Sequence, residues 1–543
     1  MHFADTVVLA GTIHTLNDEP PLTEAAIALT GDTITAVGTA QELSPRIGPS
    51  TVVHDYGAAT VVPGLTDSHT HTVSGMSIAR GLDLTDVGPI QEVVARVAAE
   101  AGRDRTCGWV LGWGLDPNLF NESGFTGRVL DEATPDTPVF LRMRDAHSAI
   151  VNSAALRACS ITGRETFGDA SRVATDDTGV PTGYLVESSA VALAEAHIPP
   201  LGHDERVEAL LSVLRSMAGT GLTGNHVLDF DPDHIPVLES AEAKQPLPVR
   251  LRLSPWVPAG STEDDWQRLA SWQGLHGRRW HVEGVKFFID GTIDNGSAWL
   301  SRPDSHGQGT ASVWTDPGDY ERALAYFATR SIATCTHAIG DRGVAFVLDA
   351  LGALGDTATS AAHRIEHIET VPDDTVERFV RSGVAASMQP IHGTHHTRAD
   401  RSDNWSERLG AARAAQGWRC RDLRDGGATL ALGSDWPITP FDPRAMMVDA
   451  ILRRPAARAD VAPIQPEQAL TPLMALEGYT THSARSIGAE HERGRIAPGM
   501  KADLTVLADD LLAVPPEKIS DITVLASYVD GERAHLDAAA TAS

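Results

Sequence analysis

The segment Pro63-Gly64-Leu65-Thr66-Asp67-Ser68-His69-Thr70-His71 runs from a turn signal into a short strand, and the rest of the chain is read outward from it. Strand side chains alternate faces, so residues two apart point the same way and His69 and His71 can address one ion. The pair is weak alone, because 22 histidines in 543 residues give about one His-x-His by chance. Its weight comes from company. Lys286, His337, His367 and Asp435 each sit at or near the C-terminal end of another expected strand, the end where barrel catalysis occurs. Imidazole nitrogens plus a carboxylate oxygen suit zinc and similar divalent cations, and together they describe an open catalytic site.

From Thr60 onward short apolar strands alternate with amphipathic helices, the rhythm of a parallel α/β protein. Eight strands are expected: the run to His71, then Gly221 to Asp229, Leu247 to Trp256, Val282 to Gly291, Ile332 to Asp341, His363 to Glu369, Gly383 to Pro390 and Ala428 to Pro437. Helices are expected at Asp204 to Ala218, Asp319 to Arg330, Arg342 to Leu354 and Asp373 to Arg381, each opening with or near an acidic residue that suits a helix N-terminus. The spacing predicts a (β/α)8 barrel of the TIM type over residues 60–485. An inserted subdomain is expected after strand 1, over about residues 75–200, where a lid or specificity wall would sit. Residues 1–59 and 486–543 share a β-rich style with turn signals such as Thr30-Gly31-Asp32, so the two chain ends are expected to pair into one small β-domain.

Composition agrees with a large enzyme core. Hydrophobic residues make up 42% and charged residues 21%, ordinary values for a soluble globular chain. A formal net charge of -28 opposes nucleic acid and anionic membrane by like-charge repulsion, so the expected partner is a small-molecule substrate. A homodimer would follow only from the base rate for soluble enzymes. Cys107, Cys159, Cys335 and Cys420 form no C-x-x-C pair, and no export signal or long apolar run is read, so a cytoplasmic location is expected.

Rival motifs fail on context. His363-Arg364-Ile365-Glu366-His367 matches an inverted zinc-protease signature only if helical. Its Ile-rich flanks read as a strand, on which the two histidines would be about 13 Å apart, too far to share an ion. His367 is therefore taken as the ligand. Gly219-Thr220-Gly221-Leu222-Thr223-Gly224 follows a helix and enters a strand, the reverse of a dinucleotide site. No G-x-S-x-G nucleophile elbow occurs. As an ammonium Lys286 would repel a cation, whereas a carbamate (N6-carboxylated lysine) would reverse its charge and bridge two ions. Trp113, Arg144, His147 and Asp290 are candidates for the substrate pocket. His392, His395 and His396 follow strand 7 and could touch substrate, with a solvated loop as the first reading.

The segments Pro63–His71, Val285–Gly291, Thr336–Arg342, His363–His367, Gly433-Ser434-Asp435-Trp436-Pro437 and Gly494–Leu504, in this order, resemble the amidohydrolase superfamily over nearly the whole chain. Phe287–Gly291, Asp145–Asn152 and Gly433–Pro437 resemble its family 3 branch, which includes N-substituted formamide deformylases. The resemblance implies a metal-dependent barrel with a β-sandwich made from both ends. It also implies that His69, His71 and Asp435 hold a first cation, that His337 and His367 hold a second, and that carbamylated Lys286 bridges them in a binuclear site.

The expected cofactor is thus one or two divalent cations per chain, zinc first. The expected activity is hydrolysis of a C–N bond in a small amide, formamide or cyclic amide by metal-activated water, with Asp435 as the catalytic proton shuttle. An ester or lactone hydrolase, or a deaminase, would use the same water. A non-catalytic binding protein on this scaffold is the alternative of another class.

Overall fold

The computed structural model describes residues 2–85, 87–103, 108–116, 119, 124, 126–144, 146–168, 171–355 and 361–538. These divide into two compact units, the first made of Met1–Thr72, Val207–Asp435 and Phe441–Ser543, the second of Val73–Arg206 and Trp436–Pro440.

Eight parallel strands frame the first unit: β1 (Leu65–Thr70), β2 (Leu222–Phe230), β3 (Arg250–Pro255), β4 (Val285–Phe288), β5 (Thr334–Ala338), β6 (Arg364–His367), β7 (Ala385–Met388) and β8 (Leu430–Leu432). They pair in chain order, with Asn225 beside Asp67, Lys286 beside Cys335, and Ala338 beside His367. A parallel bridge from Trp256 to Lys286 joins β3 to β4. The ring closes past β8, where Asp435 N–H donates to His69 O at 2.7 Å. Gly433 makes that closure possible, since a Cβ there would stand 2.6 Å from His69 N. All nine residues of β2 are buried, as expected of a parallel strand covered on both faces.

The helices between strands are amphipathic. Asp373–Ser382 starts with two acidic residues, buries Thr375, Val376 and Phe379 on one face, and ends at Gly383 in the left-handed region (φ 71°), which turns the chain into β7. The helices His203–Gly219, Pro317–Ala328 and Asp341–Ala353 lie where the sequence places them, within two residues or so at each end.

The chain ends do meet. Thr60–Pro63 pairs antiparallel with Leu504–Leu507 (Val61 opposite Val506), inside one eight-stranded sheet that also holds Thr6–Ile13, Leu22–Thr30 and Val524–Val529. One face buries Val8, Ile27, Val61, Val506 and Tyr528. Arg279 and Arg250 anchor this sheet to β3 through Asp530 and Asp503. Because Pro63 leads straight into β1, the sheet fixes where that strand begins.

The second unit carries its own six-stranded sheet, ordered Arg172–Thr175, Pro181–Val186, Ser148–Val151, Val139–Met143, Val110–Leu115 and Leu82–Asp83. Two hydrophobic clusters fill it, one around Val93, Val110 and Leu141, the other around Phe140, Val151 and Leu185.

Candidate metal centre

His69 is the last residue but one of β1 and is fully buried; His71 follows the strand end. Their ring centroids are 5.5 Å apart, and both Nε2 atoms face the same oxygen. Asp435 Oδ1 lies 3.2 Å from His69 Nε2 and 3.1 Å from His71 Nε2. Asp435 reaches them because its backbone is left-handed (φ 59°), a conformation that aspartate tolerates better than most residues. Asp67 supports the junction from beneath, its Oδ1 accepting from His69 N at 3.1 Å and Ser434 N at 3.0 Å. Burial pushes the Asp67 pKa up to about 7.

The far ring nitrogens are also held. His69 Nδ1 is 2.8 Å from Glu366 Oε2, and His71 Nδ1 is 3.5 Å from Asp229 Oδ2. Burial opposes ionisation of Glu366, but Arg364, with Nε 2.6 Å from Oε1, overcomes it and keeps the pKa at about 2. Glu366 thereby fixes the rotation of the His69 ring, with Nε2 turned toward Asp435. Burial likewise works against a charged His71, yet Asp229 and Asp435 lift its pKa to about 9. Asp435 is pushed up by burial and pulled well below the usual carboxylate range by His69 and His71.

Glu366 and His367 are neighbours on β6, and simple alternation would send them to opposite faces. His367 has φ 74° and Ile368 φ 52°, so the chain turns and both side chains reach the same place. The His367 ring lies 4.7 Å from that of His69 and 4.5 Å from that of His337. His392 completes a second grouping, with Nε2 3.8 Å from Asp435 Oδ2, while His367 Nδ1 is 4.0 Å from the same oxygen. Burial holds both imidazoles neutral, His392 down to about 4 and His367 well below its ordinary value.

Several expectations change here. His392, read first as part of a solvated loop and second as a substrate contact, is 5% exposed on a helix, Pro390–His396, that starts directly after β7. Pro390 at the first helical position gave the signal, since proline is pre-organised for a helix start. His395 instead pairs with Asp449 at 3.0 Å, and His396 stacks on His392. Asp290, expected in the substrate pocket, is occupied by backbone donors: Ile339 N at 3.0 Å, Gly340 N at 2.8 Å and Trp299 N at 2.8 Å. It ties the loops after β4 and β5 together, and burial raises its pKa to about 7.

His337 is buried at the end of β5, with Nε2 3.3 Å from Gly291 O. The two groupings whose donor atoms fall within one ion's reach, among the described residues, are His69, His71, Asp435 and His367, His392, Asp435. Lys286 is fully buried on β4, its Nζ lacks a hydrogen-bond partner, and burial lowers its pKa. His363 bonds Thr334 Oγ1 at 2.8 Å and stands apart from the site.

Trp113, Arg144 and His147 belong to the second unit. Arg144 pairs with Asp116 at 3.4 Å and His147 with Glu187 at 3.0 Å; Asp145, in the same motif, lies outside the described residues. Trp256 follows the end of β3, and no local signal in the sequence marks it as a neighbour of His71. The residue is 46% exposed, and its ring centroid lies 6.3 Å from that of His71 and 5.2 Å from that of Phe288.

The donor set fits a divalent cation. His69 Nε2, His367 Nδ1, His392 Nε2 and Asp435 Oδ1 are all buried without a well-aligned hydrogen bond, a condition that costs roughly 1–3 kcal/mol per group unless something pairs them. Borderline nitrogen and hard oxygen donors suit zinc, manganese, iron and nickel alike.

A family model described as amidohydrolase family matches residues 53–535. The YtcJ protein of Bacillus subtilis strain 168 is 28% identical over 533 residues, spanning 96% of this chain and 98% of its own. The N-substituted formamide deformylase of Arthrobacter pascens is 24% identical and covers 97% of each chain. An uncharacterised metal-dependent hydrolase from Pyrococcus horikoshii shares the fold at a TM-score of 0.72, with 24% identity over 94% of this chain and 99% of that one.

Proposed function

Because the chain belongs to the amidohydrolase family, we propose that it hydrolyses a carbon–nitrogen bond of a small molecule, in an amide, formamide or cyclic amide, with the help of a bound divalent cation. The observation that carries this reading is the convergence of His69 Nε2 and His71 Nε2 on Asp435 Oδ1, with His69 Nε2 and Asp435 Oδ1 left without aligned hydrogen bonds. The similarity to an N-substituted formamide deformylase supports the substrate class.

His69, His71 and Asp435 would hold the cation, and His367 and His392 would extend the donor set toward a second ion. Zinc is the first choice. Once bound, such a cation polarises a carbonyl and brings the pKa of water from 15.7 to about 7. Glu366 keeps the His69 ring turned with Nε2 toward the site. Asp435, whose Oδ1 faces His69 and His71, would take the proton of the attacking water and pass it to the departing nitrogen. Trp256 supplies an aromatic wall beside His71 for the substituent on that nitrogen. Lys286, a buried amine held toward its neutral form, is the residue that would take up carbon dioxide as a carbamate and add an oxygen donor.

The test is elemental analysis of protein purified without chelator, with turnover followed on N-substituted formamides, amides and esters before and after metal removal and zinc return. About one or two metals per chain and zinc-restored hydrolysis of the formamides are expected. A folded, metal-free, inactive protein would replace this reading with that of a binding scaffold.

A further inference from the structure

His392 is positioned by more than its own helix. Its Nε2 faces Asp435 Oδ2 at 3.8 Å, and its other ring nitrogen faces Glu369 Oε1 at 4.0 Å. Glu369 sits two residues past β6 and is 8% exposed. Its second oxygen, Oε2, accepts from Trp405 Nε1 at 2.7 Å, and Trp405 is 2% exposed. The backbone around this pair is locked: Trp418 N–H donates to Glu369 O at 2.9 Å, Val371 N–H to Gln416 O at 3.3 Å, and Thr370 Oγ1 to Arg413 O at 3.2 Å. Trp405 and Trp418 pack ring on ring at 4.5 Å. A buried carboxyl group is expensive unless its oxygens are used, and here one is used by the indole while the other is aimed at an imidazole of the site.

We propose that Glu369 is a positioning residue that sets the rotation of the His392 ring, and that Trp405 fixes Glu369 for that task. The inference rests on the reading of His392 as a donor toward the bound cation. At 4.0 Å the contact is longer than a hydrogen bond, and burial raises the Glu369 pKa to about 8; outer-shell carboxyl groups behind a ligating imidazole typically govern 10- to 100-fold in metal affinity or activity. The same arrangement holds His69 through Glu366, so the two groupings would each have one imidazole backed by a glutamate from the β6 segment.

The experiment compares His392→Ala, Glu369→Ala, Glu369→Gln, Trp405→Phe and the double variant Glu369→Ala/His392→Ala in the full-length zinc-loaded protein. Zinc loss to excess chelator is followed, with kcat and KM in parallel and a thermal melt as the folding control. Glu369→Ala and Trp405→Phe are expected to speed zinc loss about 10-fold or more and to lower kcat with little change in KM. Glu369→Gln, which keeps an acceptor for the indole, should recover most of the loss. The double variant should behave as His392→Ala alone, because Glu369 acts through that ring. Additive losses in the double variant, or wild-type zinc retention in Glu369→Ala, would overturn the proposal. If the wild-type protein takes up no zinc, the functional reading fails, and crystal structures decide the positioning separately: a His392 ring unmoved in Glu369→Ala and Trp405→Phe overturns it, a rotated ring supports it.

Discussion

Replacing Asp435 by asparagine separates chemistry from folding at one atom. Asparagine has the same shape and tolerates the left-handed backbone at this position (φ 59°). The main-chain bond from residue 435 to His69 O, at 2.7 Å, does not involve the side chain and remains. What disappears is the negative charge facing His69 at 3.2 Å and His71 at 3.1 Å, together with the only carboxylate common to both candidate ligand groupings. The amide nitrogen cannot take a proton from water, so general base assistance is lost. That assistance is commonly worth about 10²- to 10⁴-fold, equal to ~3–5 kcal/mol on the barrier. The assay is kcat on the best formamide substrate at saturating zinc, with bound metal measured on the same samples and circular dichroism to check the fold. A fall of two orders of magnitude or more is expected with the fold intact. Turnover within about tenfold of wild type at equal metal content would refute the proton-shuttle role.

Other consequences are separable. In the metal-free protein the His71 pKa is raised from 6.5 to about 9, so its stabilising charge is fully present below pH 6.5 and is lost as the pH climbs through about 9. Denaturation midpoints of apo-protein should fall over that window, and Asp229→Asn should flatten the fall; a flat wild-type profile would contradict the coupling. Because a cation needs the neutral ring, zinc affinity should rise by about tenfold per pH unit up to roughly pH 9, measurable by chelator competition. Trp256→Ala should raise KM for substrates with bulky N-substituents while leaving kcat nearly unchanged, and an unchanged KM would remove Trp256 from the substrate wall. Asp290→Ala strands three buried backbone donors and should cost ~3 kcal/mol or more in urea unfolding, with KM unaffected if the residue serves the loops and not the substrate.

The frame of the molecule was legible in the sequence because each strand and helix is announced by local chemistry. Periodic apolar residues, acidic helix starts and the glycine after Ser382 all act within a few positions, so the eight strands and four helices fall where expected. Placement of His69, His71, His367 and Asp435 at strand ends was legible for the same reason. Local pattern could not tell that His367 and Asp435 would adopt left-handed backbones and swing inward, nor that Glu366, Asp229 and Glu369 would back the imidazoles, since those contacts join residues as much as 297 positions apart in the chain. What Asp290 and His392 do is decided by burial and by the partners each meets, which sequence position does not show. Asp290 accepts from three backbone donors and has His337 Nε2 3.8 Å away, whereas His392, carried inward by a proline-started helix, keeps Nε2 without a hydrogen bond beside Asp435. Sequence sets which groups each element carries; only closure of the ring decides which of their lone pairs remain free to bind.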